Sequence, residues 1–123
     1  MITATTVTPD MIFDIHVKAS QAAEKAVTDY LSNWTAKTGG NEYGEPMYCG
    51  FAWVEVPGIK LSTKVGKAFA EVGFRKSYGR GVSFWNPGNH NGQSMDAKEA
   101  GADAYAQVLE TYGVKAYGAS RAD

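Results

Sequence analysis

Ile12, Ile15, Ala19, Ala22, Ala23, Ala26, Tyr30 and Trp34 recur at spacings of three and four. That period puts them on one stripe of an α-helix. Thr8-Pro9 supplies the start. Threonine caps well, and proline at the first helical position gives up an N–H that has no helical partner there. "TGGNEYGEP", residues 38 to 46, ends the element with glycine, so the spacing predicts a helix to about Lys37. The stripe is mostly alanine, which lets a partner approach closely, with bulk only at Tyr30 and Trp34. It can be buried on the chain's own sheet, as amphipathic helices usually are, or on a second subunit. A small domain has limited surface for a stripe of roughly 28 residues. The expectation that follows is a homo-oligomer, most simply a two-fold dimer.

"MYCGFAWVEV" lies between Pro46 and Pro57 and is rich in aromatic and β-branched residues, which reads as a strand. Alternation puts Phe51, Trp53 and Glu55 on one face and Ala52, Val54 and Val56 on the other. Ser62 can cap a second helix with Val65, Ala68, Phe69 and Val72 as its stripe and Gly73 as its stop. "GVSFW" reads as the next strand. Ser94 can cap a third helix with Asp96 in its first turn and Ala97, Gly101, Ala104, Tyr105, Val108 and Tyr112 buried. Gly113 ends it, and "VKAY" reads as a last strand. The likeness between "VGFRKSYG" and "YGVKAYG" is read as two helix exits sharing a stop signal, not as a repeat. The expected fold class is α+β. A single domain over residues 1–123 comprises a long N-terminal helix within 1–40 and an α+β core over 46–123. The helices should pack on one face of a sheet of three or four strands.

The chain has 123 residues, 44% hydrophobic and 20% charged, as a globular domain requires. A net charge of −1 gives no global attraction to nucleic acid or an anionic membrane. The charge is uneven, however: Lys60, Lys64, Lys67, Arg75, Lys76 and Arg80 face only Glu71 between residues 60 and 80. A single cysteine rules out an internal disulfide, and with two distant histidines it argues against a structural metal. No apolar run approaches the roughly 20 residues of a membrane span, and "MITATTVTPDM" has no secretory pattern. A reducing cytoplasm, or a particle assembled in one, is the expected setting; no membrane and no cofactor are expected.

The motifs "CGFAWV" (Cys49 to Val54), Gln93-Ser94-Met95, and Ala116-Tyr117 followed by Ser120-Arg121 and Asp123 carry a resemblance. With them the chain resembles a family of small proteins encoded by tailed bacteriophages, over roughly residues 46 to 123. "YGRGVSFW" looks like that family's middle strand. The resemblance implies a phage gene acting in the host bacterial cytoplasm, or alternatively in the virion, and implies no mechanism. The family's middle strand commonly leads straight to Gln-Ser-Met, whereas "NPGNHNG" intervenes here, so a site in that stretch is particular to this chain.

Catalytic patterns are weak. Cys49 with His16 or His90 is a conceivable nucleophile and base, but a cysteine starting an apolar strand is usually a small buried hydrophobe. No phosphate loop, HExxH or Gly-x-Ser-x-Gly pattern is present. A non-enzymatic binding protein is therefore expected. Aromatic faces on strands can stack bases, arginines can meet phosphates, and amides match base edges. The expected site gathers Arg75, Tyr78, Arg80, Trp85, Asn86, Asn89 and Ser94. Trp85 would be the stacking surface, Arg80 the charge partner, and Ser94 with the N–H groups of the third helix an anion anchor. The expected ligand is a nucleotide-like molecule or nucleic acid, sequestered to counter a host component. The competing expectations are core aromatics and mere turn amides, in a virion structural or assembly protein with protein contacts only.

Overall fold

The computed structural model describes residues 7–77 and 79–123. Seven elements follow one another: α1 (Pro9–Thr38), β1 (Gly50–Pro57), α2 (Lys64–Glu71), β2 (Arg75–Lys76), β3 (Gly81–Trp85), α3 (Met95–Thr111) and β4 (Tyr117–Ala122). The four strands form one antiparallel sheet in the order β2-β3-β1-β4. From β1 onward this is β-α-β-β-α-β, two interlocked split β-α-β units, with α1 added in front.

The α+β architecture matches the sequence pattern, helices packed on one side of the sheet. β1 alternates as its side chains require, with Ala52, Val54 and Val56 buried and Phe51, Trp53 and Glu55 half-buried. α3 lies on β1 and β4, and α1 lies on α3 and reaches α2. One apolar cluster joins Ile12, Ile15, Ala19 and Ala23 of α1 to Val54, Val56, Phe69, Val82, Tyr105 and Leu109. The α1 stripe therefore finds its cover within the chain as far as Val27, while Tyr30 and Trp34 stay half-buried.

Local details differ from expectation for physical reasons. Thr8 is extended but makes no side-chain cap; its hydroxyl is engaged with the Asp10 carboxyl, which that bond holds below its ordinary value. Gly39 (φ 83°) closes α1, its N–H donating to the Thr35 carbonyl at 2.8 Å. Thr63, not Ser62, caps α2, accepting from the Gly66 N–H at 3.0 Å. Ser94 caps α3 as expected, accepting from the Ala97 N–H at 3.2 Å. "VKAY" is mostly not strand: Val114 and Ala116 plug the core, and pairing begins at Tyr117, opposite Glu55. β2 is a two-residue edge, too short to announce itself by period.

Candidate functional site

Because all the helices lie on one side, the other side of the sheet is open. Directly opposed residues of antiparallel strands point to the same face, so the register lays out that surface in rows. Arg121 stands opposite Phe51. Ala119, Trp53 and Trp85 form the next row, and Tyr117, Glu55, Ser83 and Arg75 the one after. Trp53 and Trp85 stack with ring centroids 4.5 Å apart and planes at 15°. Phe51 lies 6.0 Å from Trp85, and the Arg121 guanidinium 5.8 Å from the Phe51 ring. Trp85 is 45% exposed and Tyr117 52%.

Glu55 fixes this surface. One carboxylate oxygen accepts from the Trp53 indole N–H at 2.7 Å, and the other accepts from the Ser77 hydroxyl at 2.6 Å. The acid thus sets the rotamer of a stacked indole and ties down the end of β2. An aromatic ring whose orientation is already fixed loses less conformational entropy when a ligand stacks on it.

The seven residues expected to form one site are distributed over the fold. Arg75 and Trp85 share the open face, on adjacent strands and one row apart. Arg80 is exposed on the β2–β3 hairpin, lining a cleft with Lys60 and Lys76. Tyr78 lies outside the described residues. Asn86 is engaged by its own loop: its side-chain amide donates to the His90 carbonyl at 2.9 Å and its side-chain oxygen accepts the His90 N–H at 3.3 Å. Asn89 lines a pocket against α1 with Glu24, Val27 and Leu31, on the helix side. Ser94 is fully buried.

The loop's composition has a packing reason. Asn86 and Asn89 adopt left-handed φ values of 50° and 54°, which asparagine tolerates better than most residues. Pro87 and Gly88 are buried. A side chain on Gly88 would meet Val27 at 2.5 Å, and one on Gly101 would meet the Gly88 Cα at 3.0 Å. The loop is a wedge between α1 and α3, and glycine permits the close approach.

The N-terminus of α3 already holds an anion, supplied by the chain. The Glu45 carboxylate accepts from the Ser94 N–H at 3.0 Å, the Gln93 N–H at 3.1 Å and His90 Nε2 at 2.6 Å. Burial pushes the Glu45 carboxyl up, but His90 and the two N–H groups together outweigh it and hold the group below its ordinary value. Nothing in the local sequence of "NEYGEP" marks Glu45 for this role. The usable clue is the unpaired N–H groups that every helix start must satisfy.

The histidines and the cysteine do not converge. His16 Nδ1 lies 2.6 Å from the Tyr105 hydroxyl, His90 bonds Glu45, and the Cys49 thiol points to the Met47 carbonyl at 3.9 Å. Among the described residues no group of three or more His, Cys, Asp or Glu is placed to hold a metal ion, and no helix is long and apolar enough to cross a membrane. Phe51, Trp53, Tyr117 and Arg121 are the open-face residues that sequence reasoning left out of the site. Placing the last strand at "VKAY" hid the alternation of Tyr117, Ala119 and Arg121 on one face. Comparison with family models, curated proteins and solved structures finds no match to this chain.

Proposed function

We propose that the chain is a non-enzymatic binding protein that takes a nucleotide-like molecule or single-stranded nucleic acid on the open face of its sheet. The observation that carries this reading is the fixed Trp53–Trp85 stack, with Trp85 45% exposed on a helix-free face beside Phe51. Unpaired bases are recognised by stacking on aromatic side chains of such open sheets, at about 1–3 kcal/mol per base. Arg75 and Arg121 flank the rings on the same face and suit phosphate oxygens. Asn86, Asn89 and Ser94 belong to the loop and helix start, and Trp85, Arg75 and Arg80 carry over from the expected set. The phage resemblance supplies the biological setting: a protein of the host bacterial cytoplasm that sequesters such a ligand to counter a host component.

Fluorescence anisotropy with a labelled oligothymidine at low salt tests the reading. Trp85→Ala should weaken binding roughly tenfold or more, the equivalent of a lost stacking contact. An oligonucleotide affinity equal in Trp85→Ala and parent would sink it.

A second reading has its own observation. Met11, Phe13 and Val17 are exposed along α1, and Tyr43, Met47 and Tyr48 in the loop before β1. These suit protein contacts in a virion structural or assembly protein, and a homo-oligomer belongs with them. The Ala-lined stripe no longer argues for a dimer, since α3 covers it as far as Val27. Detection by mass spectrometry in purified virions would favour this second reading.

A further inference from the structure

Beyond the aromatic rows the sheet ends at Pro57 and Gly81, where β1 turns toward α2 and β2 toward β3. A cleft of about 810 Å³ opens there between those two connections. Lys60, Lys76 and Arg80 line it together with Gly58, Ser62 and Gly79, and among the described residues no acidic one does. Between Glu55 and Asp96 the sequence holds one acid, Glu71, and it lines a different pocket beside Pro9 and Phe13. The ion pairs among the described residues are Lys25–Asp29 and Glu45–His90, so none of the three cleft cations is neutralised by a carboxylate.

Both walls are held in place. The Lys60 carbonyl accepts from the Thr63 N–H at 3.1 Å and the Thr63 hydroxyl at 2.7 Å. Gly66 packs so close that a side chain there would sit 1.9 Å from the Lys60 carbonyl oxygen. On the hairpin side, the Ser77 N–H donates to the Gly81 carbonyl at 3.1 Å while its hydroxyl is bonded to Glu55. The Gly58 N–H donates to the Arg80 carbonyl at 3.4 Å, linking the two walls. Three like charges on fixed backbone around a concave surface repel one another unless an anion joins them, and a cleft focuses their field.

We infer that this cleft is a phosphate site, and that it receives the phosphate-bearing end of the ligand whose base stacks on Trp85. The inference rests on the reading above for its base and adds the end that carries the charge. The row of Trp53 and Trp85 lies four residues along β1 from Pro57, a span of ~13 Å. Lys76 stands opposite Val82 and so points to the helix side, whereas Trp85 is on the open side. A ligand that fills both sites must therefore be extended, turn over the end of the sheet, and carry its phosphates at one end or along its length. Phosphate is the shared chemistry. A nucleoside polyphosphate offers it as a terminal chain, and a single strand offers it as successive backbone groups.

The test uses inorganic tripolyphosphate as the first probe, by calorimetry at low salt, on the parent, Arg80→Gln, the triple variant Lys60→Gln/Lys76→Gln/Arg80→Gln, and Trp85→Ala. The parent and Trp85→Ala should bind it alike, the triple variant at least tenfold more weakly, and Arg80→Gln in between. Competition with a nucleoside triphosphate and with oligothymidine then separates the two sources of phosphate. If the strand is the ligand, the triple variant should flatten its log K against log salt slope by about 2, from three lost contacts at ~0.7 each. Tripolyphosphate affinity unchanged in the triple variant, with its melting temperature equal to the parent's, overturns the cleft and leaves the stacking reading standing. Loss in the triple variant, with base-bearing ligands no tighter than tripolyphosphate itself, keeps the cleft and removes the stacking reading.

Discussion

Ala52, Val54 and Val56 are smaller than Phe51 and Trp53, their neighbours along β1, yet they are the residues that are fully buried. The difference lies in what covers each face. On the inner face, helices supply apolar neighbours, so small and branched side chains fill the remaining space at the density of a core. On the outer face the large rings shield one another instead, with Lys98 of α3 reaching over the Phe51 ring at 5.5 Å. The inner face is organised by burial, and the outer face by stacking and by hydrogen bonds from Glu55. Side-chain size therefore does not report depth here. Substitutions on the two faces should therefore differ in what they cost, and the inner face should lose the most stability.

Phe69→Ala should be the most damaging. Phe69 is 1% exposed and packs edge-on to Phe74 at 5.0 Å. Truncating a buried phenylalanine costs about 3–5 kcal/mol, measurable as a large fall in the urea midpoint. A cost below ~1 kcal/mol would mean that the inner face collapses around the gap and is not the close-packed side of the comparison.

Glu45→Ala comes next, because it strips the acceptor from the Ser94 and Gln93 N–H groups and from His90. Leaving such donors unpaired costs about 1–3 kcal/mol. The pH dependence separates this tie from the core. His16 is held below its ordinary 6.5 by burial. The unfolded chain therefore takes up that proton first, and stability starts to fall as pH drops through 6.5. Glu45 has a net depression below 4.5. Its contribution is complete above that value and is lost as pH falls beneath it. Urea midpoints from pH 8 to pH 3 should show both declines, and Glu45→Gln should shrink the lower one, leaving the share of the exposed Asp10, and keep the upper one.

How much of this was legible in the sequence follows from how local each determinant is. The period of two in β1 and the period near 3.6 in α1 are properties of neighbouring residues, and both faces of β1 could be assigned from them. β4 could not. Gly118, Ala119 and Ser120 have little strand preference, and their conformation is imposed by pairing with β1. The Glu45 tie spans 48 and 49 residues to reach Gln93 and Ser94, and no spacing rule reaches that far. The asparagines of "NPGNHNG" were visible as a cluster, but their use was not. Amides that could meet a base edge look the same in sequence as amides that hold a left-handed turn.

Asn89 isolates that ambiguity. At φ 54° its backbone conformation disfavours alanine, so Asn89→Ala should cost about 1 kcal/mol. Asn89→Gly should stay within about 0.5 kcal/mol of the parent, because glycine adopts that conformation freely. Oligonucleotide affinity should be unchanged in both. A loss of affinity in Asn89→Gly with stability intact would return the side chain to the binding site and draw the loop into the interface.

Tyr117→Ala should have the smallest effect on stability and is the sharpest test of the outer face. Tyr117 is half-exposed on β4, an edge strand, opposite Glu55 and one row from the stacked indoles. If the outer face is a surface for a partner, removing this ring takes away little that is buried in the free protein. The cost should then stay within about 0.5 kcal/mol, while affinity for oligothymidine falls. If stability instead drops by ~1 kcal/mol or more and affinity is unchanged, the ring is bracing the sheet through its cross-strand neighbours. The outer aromatics would then be a thin second core, and the contrast between the two faces would be one of degree rather than of role.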